Sequence, residues 1–261
     1  VFRTIRLETD SRGVARLTLS RPEKHNALDA VMIAEITEAA RMLASDPAAR
    51  VAVLASEGRS FCAGGDLGWM RAQMEADAEA REAQARALAG MLAALDGLPM
   101  PLLAAVQGPA YGGGVGLLAV CDMAVGVEGA VFAMTETRLG IIPATIGPYV
   151  LARIGAPAAR RLMLPARRFG ATEAVGLGLL SRISLPEELS AAVEEEVAAL
   201  LACAPGAVAD TKRLIRDLSG RVSPEAVDLS IRALVERWES QEAQDGITAF
   251  FDKTTPPWIL S

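Results

Sequence analysis

The chain has one histidine, three cysteines and, by inspection, only Lys24, Lys212 and Lys253 as lysines among 261 residues. Each scarcity removes a class of function. A lone imidazole, His25, cannot build a histidine-rich metal cluster, and a histidine-dependent triad would have to rest on a residue in the polar turn "RPEKHNAL". Cys62, Cys121 and Cys203 are odd in number, widely spaced and set in apolar company, which speaks against a disulfide framework and a thiolate metal site. Arginine carries nearly all the positive charge, and a net charge of −6 with a pI of about 5.1 leaves no global basic field to hold nucleic acid. No apolar run is long enough to span a bilayer, and the opening "VFRTIRLETD" alternates like a strand rather than a leader peptide. The expectation is a soluble cytoplasmic protein without a metal, a membrane or a nucleic acid as partner.

What is present is a composition of 51% hydrophobic and 22% charged residues, ample for one large domain with a real core. "FRTIRLETD" and "VARLTLS" alternate with period two around "SRG" and predict a hairpin. Asp29 reads as the N-cap of a helix over 30–45. "VAVLA" from Val51 and "PLLAAVQG" from Pro101 read as buried strands, and the stretch from Trp69 to Leu95 as one helix. A short buried helix follows over 115–120, then two short strands in "DMAVGV" and "AVFAM". This succession predicts an α/β fold with parallel pairing. From Ile146 onward the punctuation by Pro, Ser, Thr and Gly reads as helix after helix, and the composition changes near residue 190.

The densest signal is "PAYGGGVGLLAVCD", with glycine at 112, 113, 114 and 116. The spacing matches neither a dinucleotide fingerprint nor a P-loop. Two readings remain open from the residues alone: a tight strand-to-helix turn, or an oxyanion hole in which bare backbone approaches a carbonyl oxygen. A second glycine loop, "SFCAGGDL", follows another buried strand and offers a partner amide.

"RPEKHNAL", "SFCAGGDL", "PLLAAVQGPAYGGGVGLLAVCDMAV" and "FAMTETRLGIIP", in this order and spacing, with "GITAFFDKTTPPW" at the end, resemble the enoyl-CoA hydratase/isomerase (crotonase) superfamily over nearly the whole chain. The resemblance implies a ββα spiral core over 1–190 and a C-terminal helical trimerisation region over 191–261, assembled as trimers or paired trimers. It implies an acyl-CoA thioester as substrate, coenzyme A being part of that substrate and no separate cofactor being needed. The oxyanion amides fall on Gly65 and Gly113. Arg21 and Lys24 fall where the family meets the CoA phosphates, and Ala63, Asp66 and Leu67 where it borders adenine and pantetheine. Phe250 and Lys253 fall where a neighbouring subunit's terminal helix contributes.

Family hydratases use two glutamates. Here the second is present as Glu136, while the position of the first is Gly116, counted among the substrate-facing positions. One carboxyl is sufficient for hydration of the 2,3 double bond, and also for Δ3-Δ2 isomerisation; loss of the first glutamate further admits a noncatalytic acyl-CoA binder. "DLGWM" and "TETRLGIIPATIGPYVLARIG" resemble the bacterial methylglutaconyl-CoA and isohexenylglutaconyl-CoA hydratases, the former acting in leucine degradation. Substrates of that group bear a second carboxylate, for which Arg138 and Arg153 are the nearby arginines.

Overall fold

The computed structural model describes residues 2–219 and 222–259. It opens with the expected hairpin, β1 (Ile5–Thr9) against β2 (Val14–Leu19), and α1 (Ala30–Ser45) starts behind Asp29, whose carboxylate accepts the Met32 N–H at 2.8 Å. After β3 (Val51–Ser56), the single helix expected from Trp69 is two: α2 (Leu67–Glu75) and α3 (Ala78–Asp96). Asp77 breaks the run by accepting the Ala80 N–H at 2.8 Å, which caps the start of a new helix. Next come β4 (Leu102–Val106), β5 (Ala110–Tyr111), α4 (Gly113–Ala119), β6 (Met123–Val127), β7 (Val131–Ala133) and a 3-10 turn over Glu136–Leu139. The rest is α5 (Gly147–Met163), β8 (Phe169–Gly170), α6 (Ala171–Gly176), β9 (Arg182–Ser184), α7 (Leu189–Leu201), α8 (Pro205–Ser219), α9 (Pro224–Trp238) and α10 (Gln241–Asp252). Among the described residues no helix is long and apolar enough to cross a membrane.

The main sheet runs β1-β2-β3-β4-β6-β9 and is parallel apart from the hairpin; β5-β7-β8 form a smaller sheet. Strands β8 and β9 lie in the part of the chain read as wholly helical. Both are too short to show a period. The central strands are apolar on both faces because both are covered. Ala52 and Leu54 of β3 and Leu102, Ala104 and Val106 of β4 face the large core shared with α1, α3 and α4. Val51, Val53, Leu103 and Ala105 point the other way and meet Ala192, Val193 and Val197 of α7. Thus α7 seals the second face of the sheet.

One buried ion pair fastens α8 to this sheet. Lys212, only 9% exposed, donates to the Asp122 carboxylate at 2.7 Å and to the Met100 carbonyl at 3.1 Å. Asp122 also accepts the Leu102 N–H at 2.7 Å, so the bridge ends on the first residue of β4. Lys212→Met is expected to lower the unfolding free energy by about 2–3 kcal/mol, read from urea denaturation, because Asp122 loses its charged partner in a largely desolvated setting.

Candidate active site

The strand order places β3, β4 and β6 side by side and parallel, so the segments leaving their C-terminal ends emerge together. Main-chain bonds then knit them. The Phe61 N–H donates to the Pro109 carbonyl at 2.9 Å and the Tyr111 N–H to the Cys62 carbonyl at 2.9 Å, tying the first glycine loop to the second. The Gly112 N–H donates to the Ala133 carbonyl at 2.9 Å, tying the second to the strand that leads into Glu136. Leu28 clamps the first loop from outside, donating to the Gly64 carbonyl at 2.7 Å and accepting the Asp66 N–H at 2.9 Å.

Each glycine of the run meets a different neighbour. Gly112 has φ +47°, and a Cβ on it would lie 2.9 Å from Glu136 Oε1. A side chain on Gly114 would press on the Cys62 backbone. At Gly113 the nearest atom is the end of the Leu28 side chain. The N–H groups of Gly65 and Gly113 donate to no acceptor among the described residues, and both glycines line the same cavity. Gly113 is the first residue of α4, where helix geometry leaves the amide without an internal acceptor. Close backbone packing thus explains Gly112 and Gly114, while Gly65 and Gly113 leave their amides open to the cavity.

The cavity has a volume of about 340 Å³. Its walls come from the glycine loops, α2, α3, the segment 135–146, and α9 with Phe250 of α10. Glu136 is half-buried as a residue, yet its Oε2 is shut off from solvent and has no hydrogen-bond partner among the described residues. Burial pushes its carboxyl up to about 7, with its own backbone amide offsetting part of the effect. The arrangement is an acid–base group of near-neutral pKa beside two unsatisfied amides in an apolar chamber.

The other expected site residues divide. Ala63 and Leu67 line the cavity, as does Phe250. Phe250 reaches the cavity of its own chain, whereas the resemblance assigns that contact to a neighbour's helix. Asp66 is spent inside its loop: it caps α2 by accepting the Gly68 N–H at 2.8 Å, and it holds the Arg21 guanidinium at 3.2 Å. Arg21 is further engaged by Asp29 at 2.8 Å and the Ala27 carbonyl at 2.9 Å, so it fastens the loop from behind. Lys24 and Lys253 are exposed and outside the cavity wall. Of the two arginines, Arg138 lines the cavity with its guanidinium unpaired among the described residues. Arg153 is directed elsewhere, donating to the Gly178 carbonyl at 2.7 Å.

Gly116 requires a correction. It does not face the cavity, because Ile146 covers it and would collide with any Cβ there; Ile146 is what lines the wall. The missing carboxyl has left no vacancy. Residues not anticipated include Ile146, Gln73, Thr145 and Trp238, the last sitting in a core cluster that also borders the cavity. A usable signal existed for Gln73, which lies one helical turn after the buried Met70 and shares its face.

The strand-end loops and Glu136 gather free backbone amides and one carboxyl around a single cavity of an α/β fold. The family profile described as enoyl-CoA hydratase/isomerase matches residues 9–259, and the chain belongs to that family. It is similar to an enoyl-CoA hydratase from Shewanella pealeana at 37% identity, with 98% of this chain and 96% of that chain covered and a TM-score of 0.81. An enoyl-CoA hydratase from Mycobacterium avium gives 30% identity, 99% and 100% coverage and a TM-score of 0.88. A carnitinyl-CoA dehydratase of Proteus mirabilis is 33% identical over 259 residues, covering 97% of both proteins. The chain is an enzyme of the crotonase fold.

Gly116→Ala is expected to cost about 1–3 kcal/mol through overpacking against Ile146. Ile146→Ala made in the same chain removes the Cγ2 that the new Cβ would meet and should recover part of that loss, giving a coupling of at least about 0.5 kcal/mol in a double-mutant cycle followed by urea unfolding.

Proposed function

We propose that the enzyme hydrates the 2,3 double bond of an acyl-CoA thioester, using Glu136 as its only acid–base carboxyl. The observation that carries this reading is the Glu136 carboxyl, whose Oε2 is buried without a hydrogen-bond partner among the described residues, in the chamber lined by the free amides of Gly65 and Gly113. As carboxylate, Glu136 takes a proton from water while the water oxygen bonds to C3. The double-bond electrons move to the thioester oxygen, and the two N–H groups hold the resulting enolate. The protonated Glu136 then gives its proton to C2, so that H and OH have been added and the enzyme is restored. A carboxyl with a pKa near the working pH serves both halves of this cycle.

A second reading has its own support. Ile146 fills the place of the family's other glutamate, and one carboxyl that moves a proton between C2 and C4 would isomerise a 3-enoyl ester. Mass spectrometry of the product separates the two, since hydration adds one water and isomerisation adds nothing. Within hydration, we favour a branched glutaconyl thioester of the leucine-degradation type, supported by the unpaired Arg138 on the cavity wall. Assembly as a trimer or a pair of trimers in the cytoplasm accompanies this reading. Its support is the apolar side chains of Leu214, Ile215 and Leu218 on α8 and Leu229 on α9, which the single chain leaves exposed.

Glu136→Gln is expected to lower kcat by about 10²–10⁴-fold with thioester affinity retained, measured by turnover and by calorimetric titration of a saturated acyl-CoA. In the wild type, kcat/KM should rise with pH through about 7 and level off above it, since the base must start ionised. The linkage has the opposite sign. A folded-state pKa raised from 4.5 to about 7 gives stability that is present at low pH and lost as pH rises through about 7. Glu136→Gln should therefore raise the melting temperature at pH 8, by an amount reflecting at most about 3 kcal/mol, and leave it nearly unchanged at pH 4.

Gly113→Pro removes one amide at a helix position that tolerates proline, and should lower kcat by about 10²–10³-fold in a protein that still unfolds cooperatively. Retention of the rate by a folded Gly113→Pro would sink the oxyanion assignment.

A further inference from the structure

Two glycines, Gly140 of "FAMTETRLGIIP" and Gly246 at the head of "GITAFFDKTTPPW", lie outside the cavity wall. The fold sets each against the other's segment. Gly140 closes the 3-10 turn Glu136–Leu139 with φ +75°, and a Cβ on it would lie 2.2 Å from the Glu242 carbonyl oxygen of α10. Gly246 is buried within α10, and a Cβ there would lie 2.5 Å from the Leu139 carbonyl oxygen. Glycine in a helix interior is destabilising relative to alanine, and what it permits here is the approach of Leu139. The two notches are reciprocal: the turn admits the backbone of the helix, and the helix admits the backbone of the turn.

Other groups of α9 and α10 hold the same turn. Arg237, near the end of α9, donates from Nε to the Gly140 carbonyl at 2.5 Å and pairs with Glu242. Leu139 packs against a cluster that includes Ile141, Trp238, Ala243 and Ile247. The Ile141 N–H donates to the Glu136 carbonyl at 3.2 Å, so the residue that carries the carboxyl is bonded directly to that cluster. Beyond its local bonds, the turn's other hydrogen-bond anchor among the described residues is the Thr137 hydroxyl on the Met163 carbonyl at 3.1 Å. A short 3-10 turn is weakly bonded by itself, so its seat on α10 decides where it stands.

We propose that α10 is a brace for the acid–base group: Gly140 and Gly246 let the helix seat on the turn, and that seating sets how Glu136 is presented to the cavity. This rests on the reading of Glu136 as the acid–base carboxyl. Gly246 and Arg237 are positioning residues, since neither lines the cavity and both act through the turn. Among the described residues, the charged side chains that share the cavity wall with Glu136 are Arg138 of the same turn and Arg81 of α3, the latter paired with Glu239. Burial holds the Glu136 carboxyl up at about 7. A turn lifted from α10 admits water to that carboxyl and returns it toward the ordinary range.

The test follows the carboxyl itself in the full chain, by infrared pH titration of its C=O band taken as the difference from Glu136→Gln. The wild-type midpoint should fall near pH 7. Gly246→Ala should bring it to about pH 6 or below and lower kcat at least about tenfold, while affinity for a saturated acyl-CoA stays within about threefold. Arg237→Leu should act in the same direction, and Arg237→Lys, which can still donate to the Gly140 carbonyl, should restore most of both effects. A wild-type midpoint in the ordinary carboxylate range, or an unmoved midpoint in folded Gly246→Ala, overturns the brace whatever the rate does. If Gly246→Ala does not unfold cooperatively, Arg237→Leu carries the same decision. Turnover separates this failure from that of the reaction. Wild-type hydration with an unmoved midpoint removes the brace and leaves the reaction standing, whereas a shifted midpoint in a protein that hydrates no enoyl ester supports the brace and removes the reaction.

Discussion

The main-chain bonds that stitch three strand exits together are the constraint on which everything else depends. Tyr111 N–H to Cys62 O joins the first loop to the second, and Gly112 N–H to Ala133 O joins the second to the approach to Glu136. Each net hydrogen bond is worth only about 1 kcal/mol. Their value lies in geometry: they place two free amides and one carboxyl from segments far apart in the chain around one chamber, without a side-chain scaffold. Because the bonds are backbone to backbone, side chains between the loops would only be in the way. The glycine run follows from that. Gly114 lets α4 rest on the Cys62 backbone, and Gly112 admits the Glu136 carboxyl at the turn.

Glu136 and Gly116 are linked through the segment that joins them in space. The loop after Glu136 returns through Thr145 and Ile146 before α5 begins, and Ile146 lands on Gly116. An isoleucine on one wall and a carboxyl on another make the chamber asymmetric. Burial in this chamber is what lifts the Glu136 pKa. With glycine at 116, Ile146 can lie directly on α4 and present its side chain to the cavity.

Much of this was legible in the sequence where the chemistry is local. Asp29 and its helix, the alternating hairpin, and the glycine loops at the ends of buried strands all carry short-range signals that the structure reproduces. Gly65, Gly113 and Glu136 were singled out by the family resemblance, and they line one cavity. What was not legible depends on tertiary neighbours. Strand β9 is three residues long and exists because the edge of β6 is open to it. The break at Asp77 was written in a capping residue but masked by a run of strong helix formers on both sides. Arg21 and Asp66 have the residue types of a phosphate site and a ligand loop, yet they satisfy each other, a pairing no linear spacing announces.

The covering helices complete the argument about where specificity can reside. The reacting end of the chamber is built from backbone and a single carboxyl, so it offers little by which to tell one thioester from another. Elsewhere the wall comes from α2, α3 and α9, where side chains rather than amides line the cavity. That wall is positioned by Arg81, which is itself buried, stacked near Trp238 and tied to the loop after α9 through Glu239. The free amides and Glu136 are therefore anchored to the strand-end loops, while the wall that carries side chains is anchored to the helical layer. A change in α9 that loosens Arg81 would reshape that wall without touching the amides or the carboxyl, and a fold built this way can keep one backbone site while its side-chain wall varies.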